Sequence, residues 1–149
     1  MTTDIAPLHI AQFGAGRIGQ IHAANIAAMK DVRLRYVVDV NTEAARRLAA
    51  RYGAKVVSEK EAFADREVGA VLIASSTDTH ARLAIAAARA GKAIFCEKPI
   101  DLSLKKVDDC LAEVEKAGVP MFVGFNRRFD PSFAALKKRL DAGEVGAVE

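Results

Sequence analysis

The sequence predicts a doubly wound α/β domain: a six-stranded parallel sheet with helices on both faces. Three observations predict it. Short β-rich apolar runs alternate with longer alanine-rich helical patterns from end to end. The apolar runs are mostly continuous, as strands buried on both faces require. Gly53, Gly91 and Gly118 each stand just past a helical pattern, where a left-handed residue ends a helix at least steric cost, and a strand pattern follows within a few residues.

Strands are expected at Leu8 to Phe13, Leu34 to Val38, Lys55 to Val57, Ala70 to Ala74, Ala93 to Cys96 and Met121 to Phe125. Helices are expected near Ile18 to Met29, Glu43 to Tyr52, Thr79 to Ala90, Leu104 to Ala117 and Ser132 to Asp141, with a weaker pattern near Lys60 to Ala64. Asp130 before Pro131 reads as an N-cap followed by proline at the first helical position. Right-handed crossovers between parallel strands then distribute the helices over both faces.

The 149 residues suit one domain, with 51% hydrophobic and 28% charged residues arguing against a disordered tail or fibrous repeat. The net charge of +3 is scattered and forms no basic block, which gives no case for nucleic acid; a pI near 9.0 suits an anionic ligand. Cys96 and Cys110 lack the C-x-x-C spacing and read as reduced structural residues. Met1 to Pro7 carries no basic cluster and reads as no signal peptide, and no run approaches the ~20 apolar residues of a membrane helix. The expectation is a cytoplasmic protein. Residues 1–142 form the expected domain, and 143–149 read as the start of a further, truncated element.

Gly14-Ala15-Gly16-Arg17-Ile18-Gly19 is a G-x-G-x-x-G between the first strand and first helix. Gly14 permits a tight turn, Gly16 lets a pyrophosphate approach the backbone, and Gly19 lets helix and strand pack closely. The helix start at Arg17 and Ile18 offers N–H groups and a positive dipole end to phosphates. Asp39 closes the second strand about 20 residues further on, where an acidic residue binds the adenosine ribose and repels a 2′-phosphate, favouring NAD over NADP. Its other reading is a turn or capping aspartate. Arg46 and Arg47 lie within a helical pattern and read as its solvated face.

Ser75, Ser76, Thr77 and His80 follow the fourth strand at the carboxyl edge of the sheet, where ligands of such folds bind. Ser76 or Thr77 also suits a helix cap, and His80 a structural hydrogen-bonder. His9 and His22, within a strand and a helix, read as structural. Glu97-Lys98-Pro99 follows the fifth strand; taken alone it is either a solvated loop or a lysine near the reacting ring, and Pro99 has either peptide isomer open to it. Asn126, Arg127 and Arg128 follow the sixth strand, between Phe125 and Phe129.

Together these segments resemble the Gfo/Idh/MocA oxidoreductase family, and within it the inositol 2-dehydrogenases. The resemblance covers essentially the whole chain. Glu97-Lys98-Pro99 followed by Asn126-Arg127-Arg128-Phe129-Asp130 is its most specific part. It implies that Lys98 is catalytic and contacts both cofactor and substrate hydroxyls. It implies that NAD is held by Gly14, Gly16, Arg17, Ile18, Gly19, Asp39, Ser75, Ser76, Thr77, His80, Glu97, Lys98, Asn126 and Arg127, without a metal. The implied chemistry is hydride transfer from a polyol carbinol to NAD, giving a ketone.

Members of the family continue into a second α/β domain that supplies an Asp, a His and the oligomer interface. The expectation for this chain is therefore an NAD-binding part that holds cofactor without turnover, with a polyol substrate and the C-terminal domain or a separate chain as partners, and a homo-oligomer for the full-length family. A noncatalytic NAD-binding regulatory module is the alternative. A methyltransferase-like domain shares the glycine-rich first loop, but Lys98 and the six-strand rhythm argue against it.

Overall fold

A computed structural model describes residues 6–147. Residues 1–5, part of the stretch read above as no signal peptide, and 148–149, part of the expected further element 143–149, lie outside the described residues. The chain runs β1 (Leu8–Phe13), α1 (Arg17–Ala28), β2 (Val32–Val38), α2 (Thr42–Tyr52), β3 (Lys55–Val56), α3 (Glu59–Ala64) and β4 (Val68–Ile73). It continues through α4 (Thr77–Arg89), β5 (Ala93–Cys96), α5 (Leu104–Ala117), β6 (Met121–Val123), a 3₁₀ turn (Asn126–Phe129) and α6 (Pro131–Asp141). The strands lie in the order β3-β2-β1-β4-β5-β6, every pair parallel, which is the expected doubly wound sheet. Strand order reverses between β1 and β4, so the crevice beyond their carboxyl ends is where such a fold takes a ligand.

Two cores sandwich the sheet. On one face Ala11, Phe13, Val71, Ile73, Ile94 and Cys96 meet α4 and α5 through Leu83, Ala84, Ala87, Cys110 and Val114. Phe63 of α3 joins them, stacked on Phe13 with 4.9 Å between ring centroids. The buried alanines of α4 keep its side chains short and let the helix lie close to the strands. On the other face Leu34, Val37 and Leu72 meet Ala23 and Ile26 of α1 and Ala45, Leu48 and Ala49 of α2. Cys96 and Cys110 are free and buried, and burial pushes the Cys96 thiol up to about 12.

Local chemistry sets most boundaries. Asn41 caps α2 by accepting from Ala44 N–H, and Ser58 and Glu61 close a capping box on α3. Asp130 caps α6, with Pro131 at its first position, as the sequence predicts. Gly53 and Gly118 end α2 and α5 in the left-handed region at φ 68° and 65°.

Most elements differ from expectation by one or two residues at a boundary, among them β4, which runs Val68–Ile73 rather than Ala70 to Ala74. β2 begins at Val32, two residues early, because β1 supplies a pairing partner (Leu8 opposite Val32) despite the charged Arg33 and Arg35. The pairing passes over Arg35, a bulge that lets Leu34 and Val37 share one layer while Arg35 reaches Asp65 at 2.8 Å. α4 begins at Thr77 rather than Thr79. β6 stops at Val123, where Phe125 N–H donates to Val123 O and Asn126 N–H to Gly124 O, turning the chain away from the ladder.

Candidate functional site

The three glycines after β1 have unequal reasons to be glycine. Gly14 sits at φ 106°, and a Cβ on it would fall 2.3 Å from Ala74 O. A Cβ on Gly19 would fall 2.2 Å from Gly14 O. Both are required by the chain's own packing. Gly16 has an ordinary extended backbone (φ −70°, ψ −167°), and a Cβ there would meet nothing within 4 Å. A side chain at Gly16 would fill the space at the start of α1, whose first turn carries no capping side chain and no acidic residue. The first bond within the helix is Gln20 N–H to Gly16 O, so the N–H groups of Arg17, Ile18 and Gly19 have no helical carbonyl to meet. The opening therefore fits an anionic group such as a pyrophosphate.

Two side chains hold this loop. Gln12, fully buried in β1, donates from Nε2 to both Gly14 O and Gly19 O at 2.8 Å. The sequence signal for this role is an amide two residues before the glycine motif, where carbonyls turning out of the ladder need donors. Asp39 accepts from Ala15 N–H at 2.6 Å through Oδ2 and from Asn41 N–H at 2.7 Å through Oδ1. It is thus a turn aspartate. Each oxygen keeps a second lone pair for a hydroxyl donor.

Beside Asp39 opens a cavity of about 300 Å³ lined by Gly14, Asp39, Val40, Ser75, Ser76, Thr79 and Arg82, among others. Arg82 and Glu59 close one wall through paired bonds of 2.7 and 2.9 Å. The bond from Arg82 holds the Glu59 carboxyl below its usual range. Ser76 occupies the N-cap of α4, yet its hydroxyl makes no cap bond; Thr79 Oγ1 donates to Ser76 O and receives Ser75 Oγ at 2.6 Å. Thr77 is the first helical residue.

His80 is 2% exposed, with Nδ1 2.8 Å from Pro99 O and Nε2 3.1 Å from Ser75 O. It joins the loop after β4 to the loop after β5. Glu97 extends the ladder by donating its N–H to Ile73 O, and Lys98 follows it, exposed, before a cis peptide bond to Pro99. Glu97 Oε1 meets His22 Nε2 at 2.8 Å, a contact that the sequence reading of His22 did not foresee. A Cβ on Gly124 would lie 3.3 Å from the Glu97 carboxyl carbon and both its oxygens.

Asn126 and Arg127 follow β6 at the same carboxyl edge, with Arg127 lying 4.8 Å from the Phe133 ring centroid. Phe125 and Phe129 beside them are 60% and 66% exposed. The expected residues therefore share one edge of the sheet: the glycine loop and Asp39 at one end, Ser75 to His80 in the middle, and Glu97, Lys98, Asn126 and Arg127 toward the other.

Residues 8–125 match the oxidoreductase family with an NAD-binding Rossmann fold, GFO_IDH_MocA. Over 136 residues the chain is 48% identical to the inositol 2-dehydrogenase of Rhizobium meliloti (strain 1021), covering 91% of this chain and 41% of that protein. The crystal structure of a putative myo-inositol dehydrogenase from Sinorhizobium meliloti 1021 superposes with a TM-score of 0.87 at 46% identity, over 95% of this chain and 43% of that one. A scyllo-inositol dehydrogenase from Lactobacillus casei with bound cofactor NAD(H) and scyllo-inositol gives 0.86 at 28% identity, over 94% and 42%. The chain spans about two fifths of the length of these relatives. It belongs to the Gfo/Idh/MocA oxidoreductase family and forms an NAD-binding Rossmann domain of that family.

Proposed function

We propose that the chain is the cofactor-holding part of an inositol 2-dehydrogenase-like enzyme that transfers hydride from a polyol carbinol to NAD. The observation that carries the reading is Gly16, a glycine that nothing in the chain's own packing requires, placed at the open start of α1. In this reading the N–H groups of Arg17, Ile18 and Gly19 bind the pyrophosphate. Asp39 accepts from the adenosine ribose hydroxyls, and its charge disfavours a 2′-phosphate. Ser75, Ser76, Thr77 and His80 line the middle of the crevice, and Glu97, Lys98, Asn126 and Arg127 its nicotinamide end.

When bound, NAD supplies the hydride acceptor. Lys98 donates hydrogen bonds to the carbinol oxygen, orienting the C–H bond toward the ring and stabilising the negative charge that develops on oxygen. The C–H bond breaks with its electron pair leaving as hydride, the hydroxyl proton passes to a base, and a ketone remains. Assayed alone, the chain binds NAD without turnover, because Lys98, Asn126 and Arg127 are exposed and a polyol there lacks the enclosure that orients it. The residues 143–149 then begin the substrate-binding part, and a homo-oligomer is expected for the complete enzyme.

Titration of NADH, NADPH and the Asp39→Ala variant by calorimetry tests the assignment. NADH is expected to bind, NADPH to bind at least about tenfold more weakly, and Asp39→Ala to lose about tenfold for NADH, or about 1.4 kcal/mol. Equal affinity of wild type and variant for both cofactors would sink the Asp39 assignment.

A further inference from the structure

We propose that His22 is a positioning residue for Lys98, acting through the Glu97 carboxylate; the inference rests on the role given to Lys98 above. A carboxylate only accepts, so His22 Nε2 carries the hydrogen in its 2.8 Å contact with Glu97 Oε1. The pair is largely withdrawn from water, with side chains 16% and 20% exposed. Glu97 Oε2 accepts from the Lys98 N–H at 3.2 Å, so the carboxylate connects His22 to the Lys98 backbone directly. Gly124 leaves the room this arrangement needs, since a Cβ on it would crowd all three carboxyl atoms at 3.3 Å.

The residue on the other side of Lys98 is held as well. Pro99 O meets Nδ1 of the buried His80 at 2.8 Å. His22 belongs to α1 and His80 to α4, helices packed into opposite cores. The two residues flanking Lys98 are therefore each tied to a histidine from a different layer, while the Lys98 side chain is exposed at the edge. The tie through His22 has a further consequence. Gly16 and His22 stand on the same helix, about 9 Å apart along its axis at 1.5 Å per residue. One rigid helix thus offers N–H groups to the phosphates at its start and, through His22 and Glu97, fixes where Lys98 stands relative to them. Displacements of about 1 Å in such a placement cost rate heavily.

The competing reading is that His22 merely packs, its ring lying edge-on to Phe95 at 5.1 Å. Two substitutions separate the readings: His22→Phe keeps a ring against Phe95 and removes the donor, whereas His22→Gln keeps an N–H donor and removes the ring. Backbone ¹⁵N relaxation of the cofactor-free chain reads the result at Lys98. Positioning predicts a Lys98 order parameter of about 0.85 in wild type and His22→Gln and below about 0.6 in His22→Phe. Should His22→Phe fail to fold, Gly124→Ala disturbs the carboxylate without touching His22 and is expected to lower the Lys98 value likewise. An unchanged Lys98 value in the folded His22→Phe or Gly124→Ala protein, or a loss in His22→Gln that His22→Phe does not show, overturns the proposal. Because cofactor is absent from this experiment, failure of NADH binding in the titrations above would sink the cofactor reading separately.

Discussion

At the glycine end of the crevice the loop is bonded to the chain at every turn: Gln12 holds two carbonyls, Asp39 holds Ala15 and Asn41, and Gly14 N–H donates to Val38 O. Beyond β6 the construction changes. α6 buries none of its residues, and Phe125, Phe129 and Leu136 are at least half exposed. Shape at the first end is set by packing and hydrogen bonds within the chain, so it exists before any ligand arrives. The second end carries aromatic and basic groups on a surface without a far wall. Under the proposed function, the first is the end that holds the dinucleotide and the second the end where the polyol reacts.

The contrast breaks most readily at the structural glycines. Gly14→Ala and Gly19→Ala each drive a Cβ to within 2.3 Å of a backbone oxygen, and at Gly14 the positive φ adds strain. Each is expected to cost about 2–5 kcal/mol in chemical denaturation; a loss below about 1 kcal/mol would mean the loop is softer than its bonding implies. Gln12→Leu keeps similar volume but strips the donor from two carbonyls, for an expected loss of about 2–4 kcal/mol on the same scale.

A smaller effect lies at the opposite, amino edge of the sheet. The Asp65 carboxyl is drawn from 3.8 down to about 2 by the Glu67 backbone N–H, the Tyr36 hydroxyl and Arg35. A depressed carboxyl contributes fully above its ordinary value and loses that contribution as pH falls toward 2. Asp65→Asn should therefore flatten the stability profile between about pH 4 and pH 2, and an unaltered slope would discount these bonds. The smallest effect belongs to the open end. Leu136→Ser on α6 should change stability by no more than about 0.5 kcal/mol, and a loss above about 1.5 kcal/mol would show α6 to be part of the core.

Much of the dinucleotide end was legible because it depends on local rules. Continuous apolar runs marked the strands, glycines marked the helix ends, and the glycine motif announced itself by lying between a strand and a helix. What escaped needed tertiary information. The Val32 strand start depends on a partner in β1, and the His22 contact with Glu97 joins residues 75 apart in sequence. Lys98 illustrates the limit: by itself it reads as a loop lysine, and only resemblance singles it out. The structure adds what holds its neighbours, through His22 and His80.

The central claim, a cradle formed in advance for NAD, meets its most direct test at Gly16. Gly16→Val places its Cβ where the chain itself has no atom within 4 Å. Measured together, thermal unfolding should stay within about 0.5 kcal/mol of wild type while calorimetric NADH affinity falls at least about tenfold. A Gly16→Val protein that binds NADH as tightly as wild type would contradict the account.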